Sequence, residues 1–507
     1  MGQAMRRFAL LALATLVLVV GLSAPVLAQD VAPVDSGVEA PEGAEAPAQA
    51  PSDGRISMAA LRQAGADLHT SWGERLQSLL GMAVILGLCF AASNNRARIS
   101  WRLVGWGLGL QLLLGVLVLK TEVGKRLFRF ANDLITGLLG FTEKGASFLF
   151  GNLAVQNNMP VGPGGPHGPV QAAGSMAEIG SFFAFGVLPT IIFFSSLMAV
   201  LYHLGVMTWV IKGIAWVMQR TMGTSGSETL SASGNIFVGQ TEAPLLVRPF
   251  VGGMTESELM AIMTGGFATV AGGVMAAYVG FLQASFSDIA GHLLAASVMS
   301  APAALVCAKL MIPEPEPEKS ETYGQLKVNL EKVDANVIDA AARGAGDGLK
   351  LALNVGAMLL AFIALIAMFN FGLGWVCGLF GADGVTLEGL LGKLLAPLAW
   401  VMGVPWHDCA AVGQLIGVKT VLNEFVAYIQ LSGMVNDPNQ LTHPRSVIIA
   451  TYALCGFANF SSIAIQIGGI GGIAPERRSD LARLGLRAMV AGSFACFLTA
   501  TVAGLLV

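Results

Sequence analysis

The sequence predicts an all-α polytopic membrane protein with eight transmembrane helices, two re-entrant helical hairpins and interfacial helices. Three observations predict it. Hydrophobic residues make up 54% of the 507 and charged residues only 12%, about half the charged share of a soluble chain. Uncharged stretches long enough to cross a bilayer recur along the chain. Two further apolar stretches, one in each half, are broken by Gly, polar residues and a carboxylate. The same composition excludes a soluble globular enzyme and a disordered chain. A net charge of -3 without a basic stripe excludes a nucleic-acid partner.

Residues 1–28 read as a signal peptide. Arg6 and Arg7 precede an apolar run from Phe8 to Leu22, and Val26, Leu27 and Ala28 precede a cleavage point at Gln29. The other reading, an uncleaved first helix, asks more length of that run than it has. Residues 29–74 form an acidic Ala/Pro-rich tail that cannot bury a core and is expected to be disordered, on the periplasmic side of a bacterial inner membrane. The expected spans are 76–95, 103–119, 179–201, 259–287, 289–308, 351–382, 446–475 and 488–507. Arg96, Arg98 and Arg102, then Lys319, Lys327 and Lys332, then Arg477, Arg478, Arg483 and Arg487 fall in loops that this scheme makes cytoplasmic, as the positive-inside rule requires. The even count returns the C-terminus to the periplasm. Lys120, Lys125, Arg126 and Arg129 fall on the opposite side, so 121–148 reads as an amphipathic interfacial helix. Residues 151–175, rich in Gly, Pro and Asn, read as an irregular connection, and Pro313 to Glu318 is a stiff polar break between halves.

The chain thus divides into 75–175, with two spans and the interfacial helix; 176–312, a first repeat with a hairpin at about 221–250; 313–350, a cytoplasmic linker and interfacial helix; and 351–507, a second repeat with a hairpin at about 407–433. The repeat is legible in order and context. Glu242 lies in the first hairpin and Gly266-Phe267-Ala268-Thr269 follows it; Glu424 lies in the second and Gly456-Phe457-Ala458-Asn459 follows. Corresponding broken segments in two halves point to a midplane site in a secondary transporter. Two unrelated Gly-rich packing helices are the plainer alternative.

A carboxylate at membrane depth costs at least about 2.5–3.5 kcal/mol and needs a partner or a role. Gln240, Thr241 and Asn235 surround Glu242 in sequence; Asn423 precedes Glu424, and Asn459, Ser461 and Ser462 follow. Such neutral polar groups suit a ligand rich in hydrogen-bonding groups and without net charge: sugar hydroxyls donate to carboxylates, and amides pair with nucleobase edges. An anion would call for Arg or Lys. Phe457 offers an aromatic face for stacking, or packs between helices. Asn235 and Thr269 can supply oxygen to a small cation where helices break, or bond between helices. The six cysteines and six histidines are scattered, with no metal or disulfide spacing.

At these residues the sequence resembles the concentrative nucleoside transporter family. The resemblance is carried by Gly234 through Pro244 (GNIFVGQTEAP), Asn423 through Tyr428 (NEFVAY) and Cys455 through Ile463 (CGFANFSSI), and it covers about residues 75–507. It implies a sodium- or proton-coupled nucleoside symporter, assembled as a homotrimer, with the two hairpins inverted relative to one another. It places Gln240, Thr241 and Glu242 at the nucleobase with Val274 packing on it, Glu424, Asn459 and Ser462 at the ribose hydroxyls, and Phe457 beside the ligand. The family's sodium site falls on the Asn235 side chain, the Val238 carbonyl, and Thr269 with Val270. Thr269 stands where the family has a Ser, which keeps the hydroxyl and adds a methyl group. Asn235 and that hydroxyl favour sodium as coupling ion over protons; no other cofactor is implied, and the remaining partner is membrane lipid. A membrane enzyme would need a nucleophile–base pair, and His407-Asp408-Cys409 cannot form a triad because adjacent helical residues diverge. A passive channel fits paired hairpins and intramembrane Glu poorly, and a nucleoside receptor without transport is the other rival.

Overall fold

A computed structural model describes residues 71–154, 158–160, 176–178, 182–283, 285–314, 320–323, 334–381, 384–437 and 439–507. The expected signal peptide, nearly all of the acidic tail, most of the connection at 151–175 and most of the linker at 315–333 lie outside the described residues.

Helix α1 (Trp72–Ala91) starts three residues inside the expected tail, because Ser71 and Glu74 form a capping box. Helices α2 (Trp101–Lys120) and α3 (Glu122–Phe150) follow, α3 lying over the 121–148 stretch. Two three-residue strands, Asn158–Pro160 and Met176–Glu178, pair antiparallel across the connection. Next come the short α4 (Phe183–Gly186), α5 (Leu188–His203) and α6 (Val206–Met222). The first broken stretch is α7 (Gly226–Gly234), a run of turns, and a 3₁₀ helix at Ala243–Phe250. Then come α8 (Glu256–Ala268), α9 (Gly272–Leu282), α10 (Ile289–Met311), α11 (Val337–Gly378) and α12 (Leu387–Val401). The second broken stretch is α13 (Cys409–Val421) and α14 (Glu424–Asn436), and α15 (Pro444–Leu454), α16 (Phe460–Ile473) and α17 (Arg478–Leu506) end the chain. Among the described residues, seven helical stretches are long and apolar enough to cross a membrane: Trp72–Ala91, Trp101–Lys120, Phe183–His203, Glu256–Leu282, Ile289–Met311, Val337–Gly378 and Pro475–Leu506.

Four details of the expected elements differ in the structure. The stretches 259–287 and 446–475 are not continuous helices. The first breaks between α8 and α9, where Thr269 is extended, and the second between α15 and α16 at residues 455–459. Hydropathy sums apolarity and cannot see such a break when the residues there are themselves apolar. The last span begins ten residues early, so Arg478, Arg483 and Arg487 ride on α17 rather than in a loop. Residues 337–350 are no separate element: they continue into α11, a single helix of 42 residues. Helices α6 and α12 were not anticipated.

The buried centre is built on α10 and α17, which pack on each other and on α8. Small residues let the backbones close up: a Cβ at Gly492 of α17 would collide with Phe267 of α8. Gln111 of α2 reaches Thr499 of α17 at 2.9 Å, a polar tie in an apolar setting. The base of each broken stretch is knotted by buried charge. At the first, Lys309 Nζ lies 2.6 Å from Glu228 Oε2 and donates to Ser257 Oγ at 2.9 Å. At the second, Asp408 is fully buried and accepts from the Thr442 and His443 backbone amides and from the Thr442 and Ser446 hydroxyls.

Candidate substrate and cation site

Three helix starts meet at the site. Helix α14 begins at Glu424 because Asn423 leaves the chain extended and caps it, its Oδ1 accepting from Val426 N at 3.0 Å. Helix α16 begins at Phe460 under the cap of Asn459, whose Oδ1 accepts from Ser462 N at 2.9 Å. Helix α9 has no side-chain cap; the Phe237 carbonyl, from the first broken stretch, accepts from Gly272 N at 3.0 Å.

The caps bring the polar residues of both halves together. Glu424 Oε2 accepts from Asn459 Nδ2 at 2.8 Å, and Glu424 Oε1 accepts from the Tyr278 hydroxyl at 3.1 Å. Gln240 Nε2 donates to Ser462 Oγ at 3.1 Å. Gln240, Ser462, Asn459 and Glu424 therefore form one connected set, all of it buried. Glu424, the first residue of α14, also sits at the positive end of that helix. Lys419 of α13 is also buried; its Nζ donates to the Ala453 carbonyl at 2.9 Å, and its charge acts on Glu424.

The other expected substrate residues are placed differently. Glu242 is exposed, and its carboxylate accepts only from Gly239 N, at 3.2 Å, among the described residues. Thr241 is half-buried and packs on Gly469 of α16, where a Cβ would lie 2.7 Å from its methyl group. Val274 is buried on α9, and Phe457 is half-buried in the break before α16.

The expected cation residues are all buried: Asn235, Val238, Thr269 and Val270. Neither amide atom of Asn235 has a hydrogen-bond partner among the described residues, a costly arrangement for a buried amide. The Thr269 hydroxyl spends its hydrogen on the Gly265 carbonyl at 2.9 Å, which leaves its lone pairs free. Gly265 is a shared neighbour, since a Cβ there would lie 3.2 Å from Asn235 Nδ2. A partnerless amide oxygen and a hydroxyl oxygen with spare lone pairs suit a hard monovalent cation.

Sequence reasoning missed Tyr278 and Gln466. Tyr278 is fully buried, stacks on Tyr428 with ring centroids 4.3 Å apart, and meets Phe425 edge-on at 5.0 Å. Gln466 Nε2 donates to Gln240 Oε1 and to the Met263 carbonyl, each at 3.1 Å. The signal was helical spacing: Tyr278 is four residues beyond Val274 on α9, and Gln466 four beyond Ser462 on α16.

Comparison with known proteins supplies the lineage. Three family models match in order: "Na+ dependent nucleoside transporter N-terminus" over residues 80–153, "Nucleoside recognition" over 184–285, and "Na+ dependent nucleoside transporter C-terminus" over 292–504. The uncharacterized transporter YutK of Bacillus subtilis (strain 168) is 44% identical over 441 residues, 87% of this chain and 100% of that protein. The chain belongs to the concentrative nucleoside transporter family. Sodium/nucleoside cotransporter 1 of Rattus norvegicus is 44% identical over 444 residues, 85% of this chain; the alignment spans 64% of that longer relative. Among solved structures, CNTnw in an inward-facing substrate-bound state matches with a TM-score of 0.75 at 44% identity, covering 85% of this chain and 97% of that one. A doubly substituted CNTnw in an outward-facing state matches at 0.76. As a member of the concentrative nucleoside transporter family, the chain falls among transporters rather than enzymes.

Proposed function

We propose that this protein carries nucleosides into the cell together with sodium, by alternating access. The observation that carries the reading is the buried set Gln240–Ser462 and Asn459–Glu424, in which polar ends from both halves of the chain meet. A carboxylate with one amide donor and one hydroxyl donor still has lone pairs for sugar hydroxyls. Gln240, Thr241 and Glu242 then face the nucleobase with Val274 against it; Glu424, Asn459 and Ser462 take the ribose, with Phe457 beside the ligand. Sodium is held by the Asn235 side chain, the Val238 carbonyl, and Thr269 with Val270; the partnerless Asn235 amide supports this assignment. Sodium binding between α7 and α8 orders the first hairpin, and substrate binds the ordered form better, a reciprocal coupling. One cation entering down about 100 mV supplies roughly 2.3 kcal/mol, enough for about fifty-fold accumulation.

The same reading makes the two broken stretches inverted re-entrant hairpins among eight spans, the eighth formed by α15 with α16. It places a homotrimer in the bacterial inner membrane, with the N-terminal tail and the C-terminus periplasmic. Both rest on the family and on the charge pattern of the loops.

The test is radiolabelled uridine uptake into proteoliposomes at fixed pH, with an inward sodium gradient against a choline control. Sodium-dependent accumulation is expected. Accumulation driven only by an inward proton gradient would move the coupling from Asn235 to a titrating carboxylate, and no uptake with intact nucleoside binding would leave a receptor.

A further inference from the structure

Gln466 has no role in the scheme above, yet it is fully buried beside Gln240. Its Nε2 contacts the Met263 carbonyl and Gln240 Oε1, each at 3.1 Å. A backbone carbonyl accepts and cannot donate. The end of Gln466 that faces Met263 is therefore its amino group, and both hydrogens of that group are used. Gln240 has to turn its oxygen toward Gln466 and its nitrogen toward Ser462. Gln240 then keeps one amide hydrogen with no partner among the described residues, and Ser462, having accepted, points its own hydrogen onward. A direction fixed at a main-chain carbonyl passes through two side-chain amides to a hydroxyl. Gly266 makes the fit possible: a Cβ there would lie 2.8 Å from Gln466 Nε2 and 2.9 Å from Gln240 Cβ.

We propose that Gln466 is a positioning residue for base selection. It locks the Gln240 amide with its nitrogen outward, so the base edge that meets Gln240 must offer an acceptor, a carbonyl oxygen or an unprotonated ring nitrogen. This rests on the nucleoside reading of the site. Without Gln466 the Gln240 amide is free to rotate by half a turn and accept instead of donate, and discrimination at that edge disappears.

The test is competition binding on the purified full-length protein in sodium. Uridine is compared with two analogues that each lack one ring carbonyl oxygen, and separately with 3′-deoxyuridine. In the wild type, loss of the carbonyl that meets Gln240 should weaken binding about tenfold. In Gln466→Met, of similar volume but without donors, that ratio should fall to about threefold or less, while the 3′-deoxyuridine ratio stays at its wild-type value. Gln466→Asn, too short to reach both Met263 and Gln240, carries the same test if the Met variant folds poorly. An unchanged carbonyl ratio in the variants overturns the proposal, and so does complete loss of uridine binding by a folded variant, because positioning predicts a partial loss. Failure of the wild type to bind any nucleoside overturns the underlying reading as well.

Discussion

At Glu424, two donors and the start of α14 offset the cost of holding a carboxylate among apolar helices. Tyr278→Phe removes the hydroxyl donor and keeps the ring stack on Tyr428. It should weaken uridine binding about five- to tenfold and leave the sodium dependence of uptake unchanged, as a titration of both ligands will read. Glu424→Gln should nearly abolish uptake while the protein remains folded; uptake at the wild-type level would remove Glu424 from the ribose role. Asn235 carries an opposite sign. Its amide is unsatisfied, so Asn235→Ala should lose little stability in sodium-free buffer, and should lose the rise in melting temperature that sodium gives the wild type. The residue types of the site were legible in the sequence, because carboxylates and amides inside apolar runs stand out. Tyr278 and Gln466 were not: Tyr278 passes for an ordinary apolar-helix residue, and Gln466 sits in a run of Ile and Gly with no motif around it. Only their helical spacing from Val274 and Ser462 would have marked them.

Caps decide where the half-helices start. Ser225 with Glu228 and Thr255 with Glu258 form capping boxes at the starts of α7 and α8. Glu228 does double duty, since its other oxygen meets Lys309. Removing one member of a buried ion pair leaves the other uncompensated, at about 3–5 kcal/mol. Lys309→Met should therefore lower the melting temperature sharply, and Glu228→Gln on that background should recover much of the loss; a double variant no better than the single one would show that capping, not charge, is what Glu228 supplies. The break before α16 is set differently. A Cβ at Gly456 would lie 2.6 Å from Cys496 Sγ and 2.7 Å from the Phe267 carbonyl, so the second half's bend presses against the end of α8. Sequence order set the two Gly-Phe-Ala segments side by side, because that needs only letters in register. It did not reveal that a helix breaks just after the first and at the second, because Thr269–Ala271 and Cys455–Ala458 hold neither proline nor charge.

Across the whole molecule, α5 and α11 share a seam of close backbone contact. A Cβ at Gly344 would lie 2.7 Å from Ala199 Cβ, and one at Gly348 would lie 2.8 Å from Ile192 Cα. The Ser196 hydroxyl also donates to the Ala341 carbonyl at 2.9 Å. Gly348→Leu should force the helices apart and reduce the yield of folded protein in detergent, while Leu349→Ala, on an exposed position next door, should not. The long helices were legible from apolar length. Helices α6 and α12 were not: α6 carries Lys212, Gln219 and Arg220, and α12 carries Glu388, Lys393 and Pro397, so neither stretch reads as a clean span. The seam also has a consequence for the lipid around the protein. The apolar part of α11, residues 351–378, is about 42 Å long at 1.5 Å per residue, against a hydrocarbon core of about 30 Å. A helix too long for its bilayer tilts or thickens the lipid around it, and α5 is bound to it. Turnover in reconstituted vesicles should thus depend on acyl chain length, with bilayer thickness acting as a control on the carrier that no residue of the binding site can report.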